Sequence, residues 1–419
     1  MSRGAAKAGH VAVVAANYWP EPTGVSQTVT EFAEFLARSG AHVRVATAMP
    51  YYPQWEIYPG YRRSLYRSEE RNGVMILRAW HRVRPSPSAV GRALQEATLC
   101  LVGLPMMLRA LWGARLAYVV VPALGYAFLG AFVARCLAIP VILVVKDVMP
   151  EAAVETGLLR NRAVIAVSRW LARRLYAVAS EIQTLGEGMA RRIVAAGGAP
   201  AKVRVVPDTI DGRELAPVPR EQNEFRRRFV PPGGFAVVHT GNMGRKQDLE
   251  LLLRTADRLR SEPDIRFLVF GDGAVRSDFL RRRAQLHLEN VSHHPLQDRS
   301  FLSHMMSGAD VMLVSQLAKV VDVVVPSKLI TAMGTGAMIV AACAEESETA
   351  KLIRASGGGL VVGAGDDEAL ARAIMSIRDG KVDTVAYRTK ARAYALARFD
   401  RDLVYGPLAA EVVRRLAAA

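Results

Sequence analysis

Short apolar runs alternate with segments of helical spacing along almost the whole chain. HVAVVAA (residues 10–16) reads as a buried strand, and the loop NYWPEPTG follows it. From about Ser26 to Ser39, Val29, Phe32, Ala33 and Leu36 recur at helical spacing, and Gly40 ends the run. His42 to Thr47 is a second strand. The pattern predicts further strands near 74–78, 117–121, 141–145, 182–185 and 203–206. Between Asp208 and Gly234 it lapses into a Pro- and charge-rich passage, read as a linker. A second series then predicts strands at 235–239, 265–270, 311–314, 338–342 and 360–362. Strands alternating with helices in both halves predict two doubly wound α/β domains facing across a cleft.

A chain of 419 residues suits two such domains. The hydrophobic fraction of 51% and mean hydropathy of +0.13 exclude a disordered protein. A net charge of +16 calls for an acidic partner: nucleic acid, anionic lipid or a phosphorylated substrate. Cys100, Cys136 and Cys343 are widely spaced among apolar neighbours, and read as buried thiols of a reducing compartment. The apolar run Val11 to Ala16 is too short for a signal peptide. Leu116 to Ala134 carries no charge and is long enough to span a bilayer. Its β-branched Val119-Val120-Val121, then Pro122 and Gly125, favour strand, turn and helix instead.

In such folds the chemistry sits in loops beyond the carboxyl ends of the strands. Pro326-Ser327 opens a helical run to Met333, so Ser327 as N-cap would present free backbone N–H groups, with Lys328 adding a charge. That is a phosphate seat. After the strand ending at His239, Thr240-Gly241-Asn242-Met243-Gly244-Arg245-Lys246 offers two glycines, an amide and two cations before a helix, which suits a diphosphate. Gly271-Asp272-Gly273 follows another strand and fits either a close-approaching base or ribose, or an ordinary turn. Pro22-Thr23-Gly24 follows the first strand and permits close backbone approach to a phosphate. In KDVMPE, Asp147 and Glu151 have two readings, as handlers of a hydroxyl or leaving-group proton or as helix-capping groups. Asp400-Arg401-Asp402 has a D-x-D spacing that some metal-dependent transferases use, but falls in a helical stretch where a solvated charged face is the better reading.

Taken in order, NYWPEPTGVSQTV, KDVMPEAAVETGLL, VVPDTID, HTGNMGRKQDLELLL and VPSKLITAMGTG resemble the retaining GT-B glycosyltransferases that build bacterial surface polysaccharides. The nearest likeness is to the branch of colanic-acid-type and N-acetylfucosamine-type transferases. The resemblance covers nearly the whole chain and implies an acceptor-binding Rossmann-like domain over 9–207, a linker over 208–234 and a nucleotide-sugar domain over 235–395. It further implies that a C-terminal helix, 396–419, returns to the first domain. The implied reaction is transfer with retention from a UDP- or GDP-sugar, with no cofactor and no metal. Asp147, Lys246 and Lys328 are the implied catalytic residues. Gly24, Gly241, Asn242, Gly244, Gly271, Asp272, Ser327, Thr331 and Glu348 would bind the donor, and Tyr18, Glu21 and Glu151 would lie on the acceptor side. Lysines and helix N–H groups would take the charge that develops on the leaving diphosphate.

One departure stands out. The family places two glutamates eight residues apart around PSK, and Val323 and Thr331 occupy those positions here. A carboxylate on the ribose hydroxyls contributes about 1.5–3 kcal/mol and a neutral partner about 0.5–1.5 kcal/mol, so Thr331 weakens that contact without abolishing binding. Asp322, Glu345, Glu346 or Glu348 could replace the other carboxylate, and Glu348, near a helix start, is preferred. Basic runs at Arg78–Arg84 and Arg169–Arg174 flank the apolar segments Ala97–Leu111 and Leu116–Ala134. They suit peripheral attachment to an anionic inner membrane face, cytoplasmic side, and access to a lipid-linked glycan. Two rivals remain: a sugar-nucleotide binder or epimerase of the same architecture, and a nucleic-acid-binding protein, for which no recognised module is present.

Overall fold

The apolar runs become the central strands of two sheets, because a strand covered by helices on both faces is apolar along its length. The computed structural model describes residues 9–22, 24–85, 88–155, 157, 159–244, 246–319 and 327–418. The chain divides into two compact units, one running to Pro207 and resuming at Val404, the other spanning Asp208–Leu403.

The first unit contains β1 (His10–Val14), α1 (Val25–Arg38), β2 (Val43–Ala48), β3 (Tyr66–Arg71), β4 (Val74–Ala79), α2 (Ala89–Leu111) and β5 (Ala114–Val121). There follow α3 (Leu124–Cys136), β6 (Val141–Val145), α4 (Glu151–Glu155), α5 (Arg162–Val178), β7 (Glu181–Thr184), α6 (Glu187–Ala195) and β8 (Val203–Val205). The sheet order is β3-β4-β2-β1-β5-β6-β7-β8, and only the β3–β4 pair is antiparallel among the described strands. The winding reverses between β1 and β5. Leu116–Ala134 is therefore β5, a turn and α3, as its punctuation predicts. The strand β3 was not foreseen, because YRSEER has no apolar alternation to betray it.

On one face of this sheet α1 lays Val29, Ala33 and Leu36 over Val11, Val13, Val43 and Val45. The last helix adds Ala409 and Val412 to the same cluster. Its Tyr405 ring meets Phe32 at 5.1 Å and Phe35 at 5.7 Å, and Glu411 accepts from Arg204 at 3.4 Å. Successive strand residues point to opposite faces, so Val14 meets the other layer, where Gly130 of α3 lies against it. There α3 packs between α2 and α5.

Two sequence expectations change. Arg78 opens a basic run but is fully buried. Its Nε donates to Glu69 at 2.6 Å, and its terminal nitrogens donate to the carbonyls of Ala48 and Trp19. Among the free cysteines, Cys343 is buried, Cys100 is half-buried and Cys136 is exposed, so they are not all core thiols.

The second unit contains α7 (Glu224–Phe229), β9 (Phe235–Asn242), α8 (Leu249–Arg258), β10 (Ile265–Asp272), α9 (Arg276–Gln285), β11 (Val291–His294) and α10 (Leu302–Gly308). It continues through β12 (Val311–Ser315), α11 (Ser327–Gly334), β13 (Ile339–Cys343), α12 (Glu348–Ser356), β14 (Gly359–Gly363), α13 (Asp367–Arg378) and α14 (Thr384–Phe399). The final helix, α15 (Arg401–Ala417), starts here and belongs to the first unit from Val404 onward. The sheet is wholly parallel, in the order β11-β10-β9-β12-β13-β14, which is the dinucleotide-fold order with its switch point between β9 and β12.

The passage 208–234 is not a free linker. Phe225 of α7 is fully buried, 6.0 Å from the Phe270 ring, and Arg226 pairs with Asp310 at 2.7 Å. The carboxylates of Asp400 and Asp402 are also occupied, Asp400 by the Gly212 and Asp402 amides and Asp402 by Arg213 at 3.0 Å. They organise the joint between α14 and α15.

Replacing Arg78 by alanine leaves a buried slot beside Glu69, whose remaining partners are Arg67 at 3.2 Å and the Tyr61 hydroxyl at 3.4 Å. Urea denaturation should show a loss of about 3 kcal/mol, the cost typical of breaking a largely buried ion pair. A loss below about 1 kcal/mol, the range of surface pairs, would show that the pair is solvated.

Candidate functional site

The switch point of the second sheet brings together the loop after β9 and the end of β12. The Leu317 amide donates to the Lys246 carbonyl at 3.2 Å, which ties the two segments. Asp248 caps α8 through the Leu251 amide, so Gln247 and Lys246 are held immediately before a helix start. Ser315 Oγ and Gln316 Oε1 are buried here and have no hydrogen-bond partner among the described residues. Buried polar atoms are ordinarily paired, so these two mark a place for a ligand or water.

Lys328, in the first turn of α11, reaches into this point. Its Nζ donates to Gln247 Oε1 at 2.7 Å and lies 3.4 Å from Nε2 of His239 on β9. His239 is fully buried, and burial followed by the nearby ammonium holds its pKa well below the ordinary value, so the ring is neutral and can accept from Lys328. Lys328 is half-buried, and desolvation of its ammonium lowers its pKa to about 7. No carboxylate among the described residues is paired with it. A diphosphate would supply the missing counter-charge.

Two glycine loops shape the rim. Gly241 has φ +110°, open to glycine and costly for other residues. Gly271 lies so close to it that a Cβ there would stand 2.0 Å from the Gly241 carbonyl oxygen. The Met243 amide donates to the Asp272 carbonyl at 2.8 Å and the Val275 amide to the Met243 carbonyl at 3.0 Å, with the Met243 side chain fully buried beneath. Gly271 and Asp272 therefore knit the rim together. Asn242 and Gly244 stand on the same loop, and Asn242 is exposed.

Ser327 is the first residue of α11, and Thr331, one turn on, donates its hydroxyl to the Ser327 carbonyl at 3.1 Å. Glu348 opens α12 behind the Ser347 cap and pairs with Lys351 at 3.2 Å. It shares the carboxyl-end edge of the sheet with Lys328, but no contact joins them. Thr23, Arg245, Asp322, Val323 and Pro326 lie outside the described residues. His239 and Gln247 were missed in the sequence. The one readable signal was a histidine near the carboxyl end of an otherwise apolar strand.

In the first unit, Gly24 stands at the start of α1, beside the switch point between β1 and β5. Glu21 has another task than facing an acceptor. It is buried, and its carboxylate accepts from the Tyr51 and Tyr52 amides at 2.9 and 3.0 Å and from Asn17 at 2.9 Å. Burial raises its pKa to about 7. Tyr18 is likewise a core residue, 1% exposed. Glu151 accepts from Arg169 at 3.1 Å. Asp147 is half-buried just past the end of β6. The adjacent hollow, lined by Phe32, Tyr118, Lys146 and Tyr405 among others, holds about 30 Å³, too little for a sugar ring.

Two family descriptions match this chain: "Glycosyl transferase 4-like domain" over residues 23–209 and "Glycosyl transferases group 1" over residues 234–379. It is 27% identical over 400 residues to the protein named "Putative colanic acid biosynthesis glycosyl transferase WcaI" of Escherichia coli (strain K12), covering 94% of this chain and 97% of that one. It is 29% identical over 273 residues to the GDP-mannose-dependent alpha-mannosyltransferase of Mycobacterium tuberculosis (strain CDC 1551 / Oshkosh), 64% of each. Among solved structures, sucrose-phosphate synthase from Thermosynechococcus elongatus aligns with a TM-score of 0.75 at 15% identity, covering 98% of this chain and 100% of that one. Anabaena Alr3699/HepE, solved in complex with UDP-glucose, aligns with a TM-score of 0.69 at 16% identity, covering 97% and 99%. At these identities the structural likeness establishes the fold.

The buried Lys328 makes stability depend on pH in a definite sense. Its pKa falls from an ordinary 10.5 to about 7 on folding, so between those values the unfolded chain binds more protons and stability rises with pH. Below pH 7 the cost of burying the charge is fully present. Lys328→Met, which removes that cost, should therefore stabilise the unliganded protein most near pH 7, and the gain should shrink toward pH 10. A gain independent of pH, in paired thermal melts, would refute the buried-charge description.

Proposed function

Because the chain belongs to the group 1 glycosyltransferases of GT-B architecture, we propose that it moves a sugar from a UDP- or GDP-sugar to a lipid-linked glycan in the assembly of a surface polysaccharide. The observation that carries the donor side is the enclosed Lys328 ammonium, set among Gln247, His239 and the N-terminal turn of α11, with no carboxylate paired to it among the described residues. The relatives bear on the donor only by class: one is named for GDP-mannose and one structure holds UDP-glucose.

The chemistry follows from charge. As the bond from sugar to phosphate breaks, its electron pair passes to the phosphate oxygen, and the leaving diphosphate gains negative charge. Lys246, Lys328 and the first N–H groups of α11 would stabilise that charge where it develops, more strongly in an enclosed site than in water. The Gly241 and Gly271 loops would let the backbone approach the phosphates. These cations would fill the role a divalent ion plays elsewhere, and on that ground we propose a metal-independent transfer. Retention of anomeric configuration is the outcome the family resemblance implies, and Asp147 is the residue proposed to work beside the acceptor hydroxyl.

A thermal-shift panel of UDP, GDP and their sugars is the direct test. One nucleoside diphosphate should stabilise the protein, with or without EDTA. Lys246→Ala should weaken it about 10- to 100-fold, the loss of one charge-assisted contact of about 1.5–3 kcal/mol. Free nucleoside diphosphate should then be released only when a lipid-linked glycan is present, with the anomeric configuration of the product read by NMR. No stabilisation by any nucleotide, a rearranged sugar nucleotide, or tighter salt-sensitive retention on DNA than on anionic vesicles would overturn the proposal.

A further inference from the structure

The apolar helix α2 has a side that no described residue of the first unit covers. Its inner side, with Leu99, Met107, Ala110 and Leu111, is buried against α3 and the sheet. Its outer side presents Val90, Leu94, Leu101 and Leu108, with Trp112 just beyond the helix end. These positions follow one another by four or seven residues and so form a single stripe. Leu101 is 77% exposed and Trp112 72%. A helix that is apolar all round belongs in a core or at a membrane. Here only about a third of it is buried.

The neighbouring helices extend the patch. On α3, Phe132 is exposed, and on α5 so are Val164, Val167 and Trp170. The Trp170 ring meets Phe128 of α3 at 6.0 Å, which joins the two helices. The charge on the three helices is one-sided. They carry Arg92, Arg109, Arg135, Arg162, Arg169, Arg173 and Arg174 against a single carboxylate, Glu96. Glu96 is turned inward and accepts from the Gly125 and Tyr126 amides. Arg169 pairs with Glu151 of α4, Arg109 donates to Ser68 at 3.2 Å, Arg92 lies over the Trp55 ring and Arg174 over the Trp170 ring.

We propose that the α2–α3–α5 face is a docking surface for an anionic lipid bilayer, lying in the interface with its arginines on lipid phosphates. Apolar side chains between arginines, with tryptophans at the edge, match the layering of a bilayer from acyl chains to headgroups. Although α2 is long and apolar enough to cross a membrane, its inner side is already packed, so the helix would lie along the surface. A second copy of the chain fits less well, because a two-fold pairing of this face would oppose arginine to arginine. The inference extends the proposed lipid-linked acceptor by naming the surface through which the enzyme would reach it.

Co-sedimentation with vesicles tests it independently of transfer. Phosphatidylcholine vesicles with about 30% phosphatidylglycerol, a charge comparable to a strongly anionic leaflet, should bind the protein at least ~10-fold more tightly than phosphatidylcholine alone. Leu101→Glu with Leu108→Glu should cut binding to the anionic vesicles at least ~10-fold, since charges replace apolar groups at the interface. Arg173→Glu with Arg174→Glu should abolish the preference for anionic lipid. All these positions are exposed, so circular dichroism and the nucleotide-dependent thermal shift should not change. The proposal is overturned if no vesicle is bound, if neither variant alters binding, or if light scattering shows that the leucine variant merely dissociates a dimer. Loss of vesicle binding with an intact nucleotide shift concerns this face alone, whereas loss of the nucleotide shift in the wild type concerns the transferase reading.

Discussion

An ammonium group held out of water, with only neutral partners among the described residues, is the constraint around which the second unit's site is arranged. Lys328 reaches Gln247 and a histidine that burial keeps neutral. A cation so placed costs stability unless an anion accompanies it. The parallel sheet explains why it is there. Reversal of the winding between β9 and β12 opens a crevice at the carboxyl ends of those strands, and helix starts point their N–H groups at it. Topology supplies the location, and Lys328, unpaired with any carboxylate among the described residues, supplies a charge that an anionic ligand would balance.

The rim around that lysine depends on packing as much as on polarity. Gly271 permits a backbone approach that no side chain would tolerate, and buried Met243 holds the two glycine loops in register. The same division of labour appears in the first unit. There Glu21 spends its carboxylate on the Tyr51 and Tyr52 amides, and buried Arg78 ties β4 to Trp19 and Ala48. Charged residues there act as internal fasteners, and they fix the loops from which a substrate would be met.

Much of the architecture was readable because parallel strands under two helical layers must be apolar, so HVAVV or ILVV shows without structural knowledge. Elements at the sheet edges were not. β3 (YRSEER) and β11 (VSHH) are polar and carry no period to detect. The sites divided in the same way. The position of Lys246, Lys328 and the glycine loops at strand ends and helix starts was legible, because glycines and cations punctuate the apolar runs there. His239 was hidden in a run read as core, and Glu21 was misjudged because its partners lie thirty residues away in Tyr51 and Tyr52. Arg78 had the look of a surface cation, since burial of a charge depends on a carboxylate, Glu69, supplied by a strand that the pattern did not reveal. The apolar character of α2 was visible, but which of its sides stays exposed is a property of packing alone.

Proton uptake on ligand binding bears most directly on the central claim. Calorimetric titrations of the matching nucleoside diphosphate at pH 8, in buffers of different ionisation enthalpy, count the protons taken up. With a free-state pKa of about 7, Lys328 is mostly neutral at that pH and regains its charge beside a diphosphate. The account predicts uptake of close to one proton by the wild type and almost none by Lys328→Met. Tight binding with no proton uptake by the wild type would contradict it.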